Sequence, residues 1–280
     1  MSETASLPPL PDHVELFNEQ GSAPLLILCD HAGNRVPPGL GELGLGREAL
    51  ERHIGWDIGA ADAARRLGTL LDAPVLLDHC SRLVIDPNRR PLTPTSIPAV
   101  SDGCVVPGNR NLDEAEVLRR VRRYFLPYHR AVARAIGRFR RRGRVPAILS
   151  VHSFTPSMHG QDRPWQVGIL WRHDRRIADP LLAALKARGD IVVGSNQPYS
   201  GLDEFGFTVE FHCQRGRLPH VMIELRQDEI ATAETATAWA GLLAEALRPI
   251  LADDRLYTSW TGPLADRQPW RVPTGLMHLR

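Results

Sequence analysis

Residues 23–31 read APLLILCDH. Ala23 to Cys29 is an unbroken apolar run, and Asp30 and His31 end it. A short apolar run without alternation marks a strand buried on both faces, as in a parallel sheet. The residues that follow, AGNRVPPG, are rich in glycine and proline and read as a loop. The strand therefore delivers a carboxylate and an imidazole to its carboxyl end.

The same pattern recurs downstream. Pro74 to Leu77 reads as a second short strand, and Val145 to Val151 as a third that runs into His152. Trp165 to Trp171 and Ile191 to Gly194 read as the fourth and fifth. Phe207 to Phe211 and His220 to Leu225 are expected to add two more, the last carrying Glu224 and followed by Arg226. Helical periodicity separates them. Ile58, Ala61, Ala64, Leu67 and Leu71 share one face of a helix predicted over 57–71. Val117, Val121, Tyr124, Phe125, Tyr128, Val132 and Ile136 share a face over 113–142, where Pro127 should kink or split the helix. Further helices are expected over 176–188 and 231–251. Strands alternating with helices predict an α/β fold with a largely parallel sheet. Ligands in such sheets bind beyond the carboxyl ends of the strands. Asp30–His31, His152–Ser153 and Glu224–Arg226 all fall there. Residues 86–112 show little periodicity, and so long an irregular stretch in a compact domain points to function.

The chain has 280 residues, 43% apolar and 24% charged, with a formal net charge of +2. These values fit a globular protein with one large core. They give no global field favouring nucleic acid or a membrane. No long apolar run suggests a transmembrane helix, and the N-terminus lacks the regions of a secretory signal. Cys29, Cys80, Cys104 and Cys213 are scattered, which fits free thiols in a reducing cytoplasm. The expected organisation is an arm over 1–22, a catalytic domain over 23–252, and a tail over 253–280 packed on the domain or a neighbour. Oligomeric state is not legible at this level.

The strand-end histidines, His31 and His152, suit a metal site. Catalytic zinc takes three protein ligands and a water. Asp57, in HIGWDIGA, is the carboxylate chosen to complete the set, with His53 and Asp30 as competitors. A helix N-cap is the plainer role for Asp57. Residues 80–91, CSRLVIDPNRRP, offer Arg82, Asn88 and Arg89 as a clamp for a substrate carboxylate, or simply a charged turn. Glu224 could act as general base, or form a structural pair with Arg226. His212 could steady an oxyanion or sit on an edge strand. The basic segment from Arg119 to Arg144, rich in arginine and including the run Arg138 to Arg144, could track nucleic-acid phosphates, although a solvated helix face is commoner. Cys29 and Cys213 could be hydrolase nucleophiles, but Cys29 lies within an apolar run.

LCDHAGNRVP, HIGWDIGA, SRLVIDPNR, YFLPYHRAV, SVHSF and VMIELRQD, in this order, resemble the N-formylglutamate amidohydrolase family. That family is related to zinc carboxypeptidases. The resemblance implies a single-domain, three-layer α/β/α fold of zinc-peptidase (phosphorylase/hydrolase-like) type, with a mixed, largely parallel sheet. It implies hydrolysis of an N-formyl or N-acyl amide of a small anionic substrate. Zinc would sit on His31, Asp57 and His152, with Glu224 as general base. His212 would assist, and Arg82, Asn88, Arg89 and Arg226 would bind substrate. Zinc carboxypeptidases carry a glutamate three residues after the first histidine. This chain has Asn34 there, which is why Asp57 is invoked.

Overall fold

The computed structural model describes residues 9–202 and 206–264. In chain order its first strands are β1 (Val14–Phe17), β2 (Leu25–Cys29), β3 (Val75–Asp78), β4 (Val100–Ser101) and β5 (Cys104–Val105). Then come β6 (Ala147–Phe154), β7 (Ser157–Met158), β8 (Gln161–Asp162), β9 (Val167–Leu170), β10 (Val193–Ser195) and β11 (His220–Arg226). The helices are α1 (Arg47–Glu51), α2 (Ala60–Leu70), α3 (Glu114–Arg120), α4 (Leu126–Arg141), α5 (Ala178–Ala187) and α6 (Ala233–Leu251).

Seven strands form one sheet in the order β1-β3-β2-β6-β11-β9-β10. The inner pairs β3–β2, β2–β6 and β6–β11 are parallel. Antiparallel pairs occur at β1–β3 and β11–β9, and β10 runs parallel to β9. The sheet is thus mixed and largely parallel. Because side chains alternate along a strand, each strand feeds two cores. Leu25, Ile27, Val151 and Ile223 pack with α2, α5 and α6 on one face. Leu26, Leu28, Ile148 and Met222 pack with α4 on the other. This is a three-layer α/β/α arrangement.

The irregular stretch folds around a third core that includes Leu43, Leu83, Ile85, Val106, Phe125 and Phe207. Arg120 braces it from inside. Its guanidinium is 2% exposed and donates to the Val84 carbonyl and to Asn109 Oδ1. One arginine of the basic segment therefore faces inward. The long helix does not split at Pro127: a π-helical turn over Val121–Phe125 joins α3 to α4 with helical backbone throughout, and this local widening just before Pro127 accommodates the proline.

Two expectations are corrected. Phe207 to Phe211 is helical rather than extended, leading into a π-helical turn over Val209–Gln214. Within the expected arm, Val14–Phe17 forms β1, paired with β3. Residues 1–8 of the arm and 265–280 of the tail lie outside the described residues. The described part of the tail packs on the domain, where Arg176 Nη1 donates to the carbonyls of Leu256 and Thr258. Among the described residues, no helix is long and apolar enough to cross a membrane. The four cysteines are free thiols.

Candidate metal centre and cavity

His31 follows β2, and His152 lies near the carboxyl end of β6. Parallel pairing of β2 with β6 brings the two imidazoles together, with ring centroids 5.1 Å apart. Asp57 reaches them from the turn before α2. Gly59 makes that turn, with φ of +79°, and a Cβ there would meet the Ile230 carbonyl oxygen at 2.3 Å. Asp57 does not cap α2, whose N-cap is Gly59. Instead its Oδ2 lies 2.8 Å from His152 Nδ1 and 3.2 Å from His31 Nδ1, and it accepts from the Ser153 amide. One ligand atom from each of the three residues lies within 4.8 Å of the others.

The outer nitrogens of both rings also have carboxylate partners. His31 Nε2 is 2.8 Å from Asp86 Oδ1, and His152 Nε2 is 3.4 Å from Asp30 Oδ2. Ser150 Oγ is 3.1 Å from the same His152 nitrogen. Arg82 closes a ring behind His31: Nη1 donates to Asp57 Oδ1, and Nε and Nη2 to Asp86 Oδ2. Metal-binding histidines commonly carry such a carboxylate on the nitrogen that faces away from the metal. The inner atoms, two imidazole nitrogens and a carboxylate oxygen, are a donor set that suits zinc. The residues present fit a divalent metal.

Electrostatics agree. Burial works against charge on Asp57, yet His31 and His152 hold its carboxyl well below the ordinary range. Burial also opposes charge on His152, but Asp30 and Asp57 outweigh it and hold the imidazole well above its ordinary value. For His31, burial and Arg82 oppose charge, and Asp86 and Asp57 prevail.

These residues wall a cavity of about 740 Å³. Glu224 lines it too. Pairing of β11 with β6 sets Glu224 beside His152. Glu224 is 5% exposed, and its Oε2 has no hydrogen-bond partner among the described residues. Burial pushes its carboxyl up to about 7. Asn88 and Arg89 line the cavity as well. Gly206 packs against the Asn88 amide, where a Cβ would meet Oδ1 at 2.6 Å. The rim carries two hairpin turns: Asp102, between β4 and β5, lies 3.9 Å from His159, between β7 and β8. Tyr199 also lines the cavity, and no signal in the sequence singled it out.

The structure therefore brings together His31, Asp57, His152, Glu224, Arg82, Asn88 and Arg89. It does not bring in His212 or Arg226, neither of which lines the cavity. His212 is buried against His129, and Arg226 binds Asp228 and Glu229. Of the rival ligands, His53 turns to Asp102 on the rim, and Asp30 stands behind His152. Asp86, read as part of a charged turn, proves to be the outer partner of His31. Cys29 and Cys213 are buried thiols whose pKa burial raises, which removes them as nucleophiles.

Fold and site together define an α/β protein with a candidate metal centre at the carboxyl ends of its parallel strands. The chain belongs to the N-formylglutamate amidohydrolase family, whose model matches residues 23–231. It is 27% identical to an N-formylglutamate deformylase of Pseudomonas aeruginosa, over 84% of this chain and 92% of that one. The fold is similar to the crystal structure of a gene product from Agrobacterium tumefaciens, with a TM-score of 0.82 and 36% identity. That match covers 86% of this chain and 95% of the other. An N-formylglutamate amidohydrolase from Ralstonia eutropha JMP134 shares the fold at a TM-score of 0.66 and 22% identity, over 85% and 96% of the two chains.

Proposed function

We propose that the protein is a zinc-dependent amidohydrolase that removes a formyl or acyl group from the nitrogen of a small carboxylate-bearing substrate such as N-formylglutamate. One observation carries this reading. Two imidazoles converge on one carboxylate at the wall of a cavity, and beside them stands a buried glutamate with an oxygen that has no hydrogen-bond partner among the described residues.

His31, Asp57 and His152 would hold the metal. Zinc bound there supplies Lewis acidity, which makes water nucleophilic near neutral pH and polarises a carbonyl. Glu224 takes a proton from the attacking water. Its pKa of about 7 suits a group that must accept a proton and then release it. The same carboxyl returns the proton to the leaving nitrogen as the C–N bond breaks. Arg82 is tied to Asp57 and Asp86, so it offers fixed positive charge beside the reacting carbonyl rather than a mobile clamp. Asn88 and Arg89 bind the substrate carboxylate. His212 and Arg226 have no part in this reading.

The test is metal content and formate release measured on one preparation. About one zinc per chain, lost in His152→Ala, together with formate released from N-formylglutamate, is the expected result. A folded, zinc-supplied protein that takes up no metal overturns the proposal.

A further inference from the structure

His129, from the YFLPYHRAV motif, and His212 are both buried, and neither lines the cavity. His129 stands on α4 and His212 on the turn over Val209–Gln214. Their rings stack, with centroids 5.2 Å apart and planes 19° apart. His129 Nε2 is 3.0 Å from the Pro87 carbonyl oxygen, and His129 Nδ1 is 3.0 Å from His212 Nε2.

These contacts fix the tautomers. A carbonyl only accepts, so His129 Nε2 carries the proton. Burial keeps His129 neutral, with its pKa pushed down to about 4, so its Nδ1 is bare. His212 Nε2 must then be the donor to that nitrogen. Protons are ordered in one direction, from His212 to His129 to Pro87.

Pro87 sits between Asp86, which holds His31, and Asn88, which faces the cavity. Asp86 Oδ1 also accepts the Asn88 amide. The segment bearing His212 grips the same loop: the Phe207 amide donates to the Asn88 carbonyl and the Thr208 amide to Asn88 Oδ1. We infer that His129 is a positioning residue. Through the Pro87 carbonyl it fixes the Asp86–Asn88 loop, and through Asp86 the orientation of His31, while His212 sets the tautomer of His129. The inference rests on the metal reading above.

The experiment measures zinc affinity by competition with a chromogenic chelator, alongside thermal melting, for the wild type, His129→Phe, His129→Gln and His212→Phe. Removing an outer partner of a metal-binding histidine costs about 10- to 100-fold in metal affinity. His129→Phe is expected to weaken zinc binding by about tenfold or more. His129→Gln keeps a donor for Pro87 and should recover most of that affinity, which a loss of packing alone would not predict. His212→Phe should weaken binding by a few-fold. A folded His129→Phe protein with wild-type zinc affinity overturns the inference. If His129→Phe does not fold, His212→Phe decides, and unchanged affinity there overturns it. A wild type that binds no zinc overturns the proposed function and this inference together. Tight binding by the wild type and every variant overturns this inference alone.

Discussion

Among the described residues, two buried histidine pairs are in direct contact, and they behave in opposite ways. His31 and His152 lie edge to face, while His129 and His212 stack, at nearly equal ring separations. All four are at most 8% exposed. The first pair is held above the ordinary histidine pKa and the second below it. Burial disfavours charge in both places, so it cannot be the cause of the difference. The partners are. Asp30, Asp57 and Asp86 surround the first pair, whereas the second meets a carbonyl, another imidazole, and the rings of Phe125, Phe207 and Phe211. One region surrounds its imidazoles with carboxylates, and the other keeps its imidazoles among neutral groups.

The largest expected effect comes from Glu224, the carboxylate of the first region that binds no histidine. Glu224→Gln should lower kcat by about 10²- to 10⁴-fold while zinc content stays unchanged. Steady-state kinetics with metal analysis checks both parts. Near-wild-type turnover with metal bound would remove the general-base assignment. A smaller change follows from making the first region more like the second. Asp86→Asn should weaken zinc binding by about 10- to 100-fold, measured by chelator competition.

The second region predicts a pH effect of definite sign. His129 titrates at about 4 in the fold and near its ordinary 6.5 when unfolded. Between those values the unfolded chain binds more protons, so stability falls as pH falls. The contribution present at pH 7 should drop by about 2 kcal/mol by pH 5, and His129→Gln should abolish it. Urea unfolding of both proteins at the two pH values measures the difference. Equal slopes with pH would mean that His129 is not held neutral. The smallest effect concerns a carboxylate partner in water. Arg47 and Glu51 pair on α1 with more than half of each side chain exposed. Arg47→Ala should leave the melting temperature and zinc affinity unchanged within error.

Much of this was legible because buried parallel strands are written as apolar runs. Those runs led into His31 and His152, and the last carried Glu224, so the outline of the candidate site could be read directly. The segment 207–211 misled for a physical reason. FTVEF alternates like a strand, but Phe207 and Phe211 are also four residues apart, the spacing of one helix face. In the fold the two rings stack at 5.2 Å. β1 was hidden because it is a four-residue edge strand that leaves most of its residues half-buried. The outer partners of the histidines could not be read at all. Asp86 and Asp30 acquire their roles only when strands distant in sequence come together. The same holds for the inward turn of His212 toward α4.

The strand order also bears on how the chain is made. β2 is flanked by β3 and β6, and β6 by β2 and β11. On the ribosome, one edge of LLILC therefore stays open until Ala147–Phe154 has emerged, and the next edge waits for His220–Arg226. An uncharged strand with an open edge is a template for pairing with other chains. A message truncated before β6 should thus yield insoluble nascent product instead of a smaller working domain.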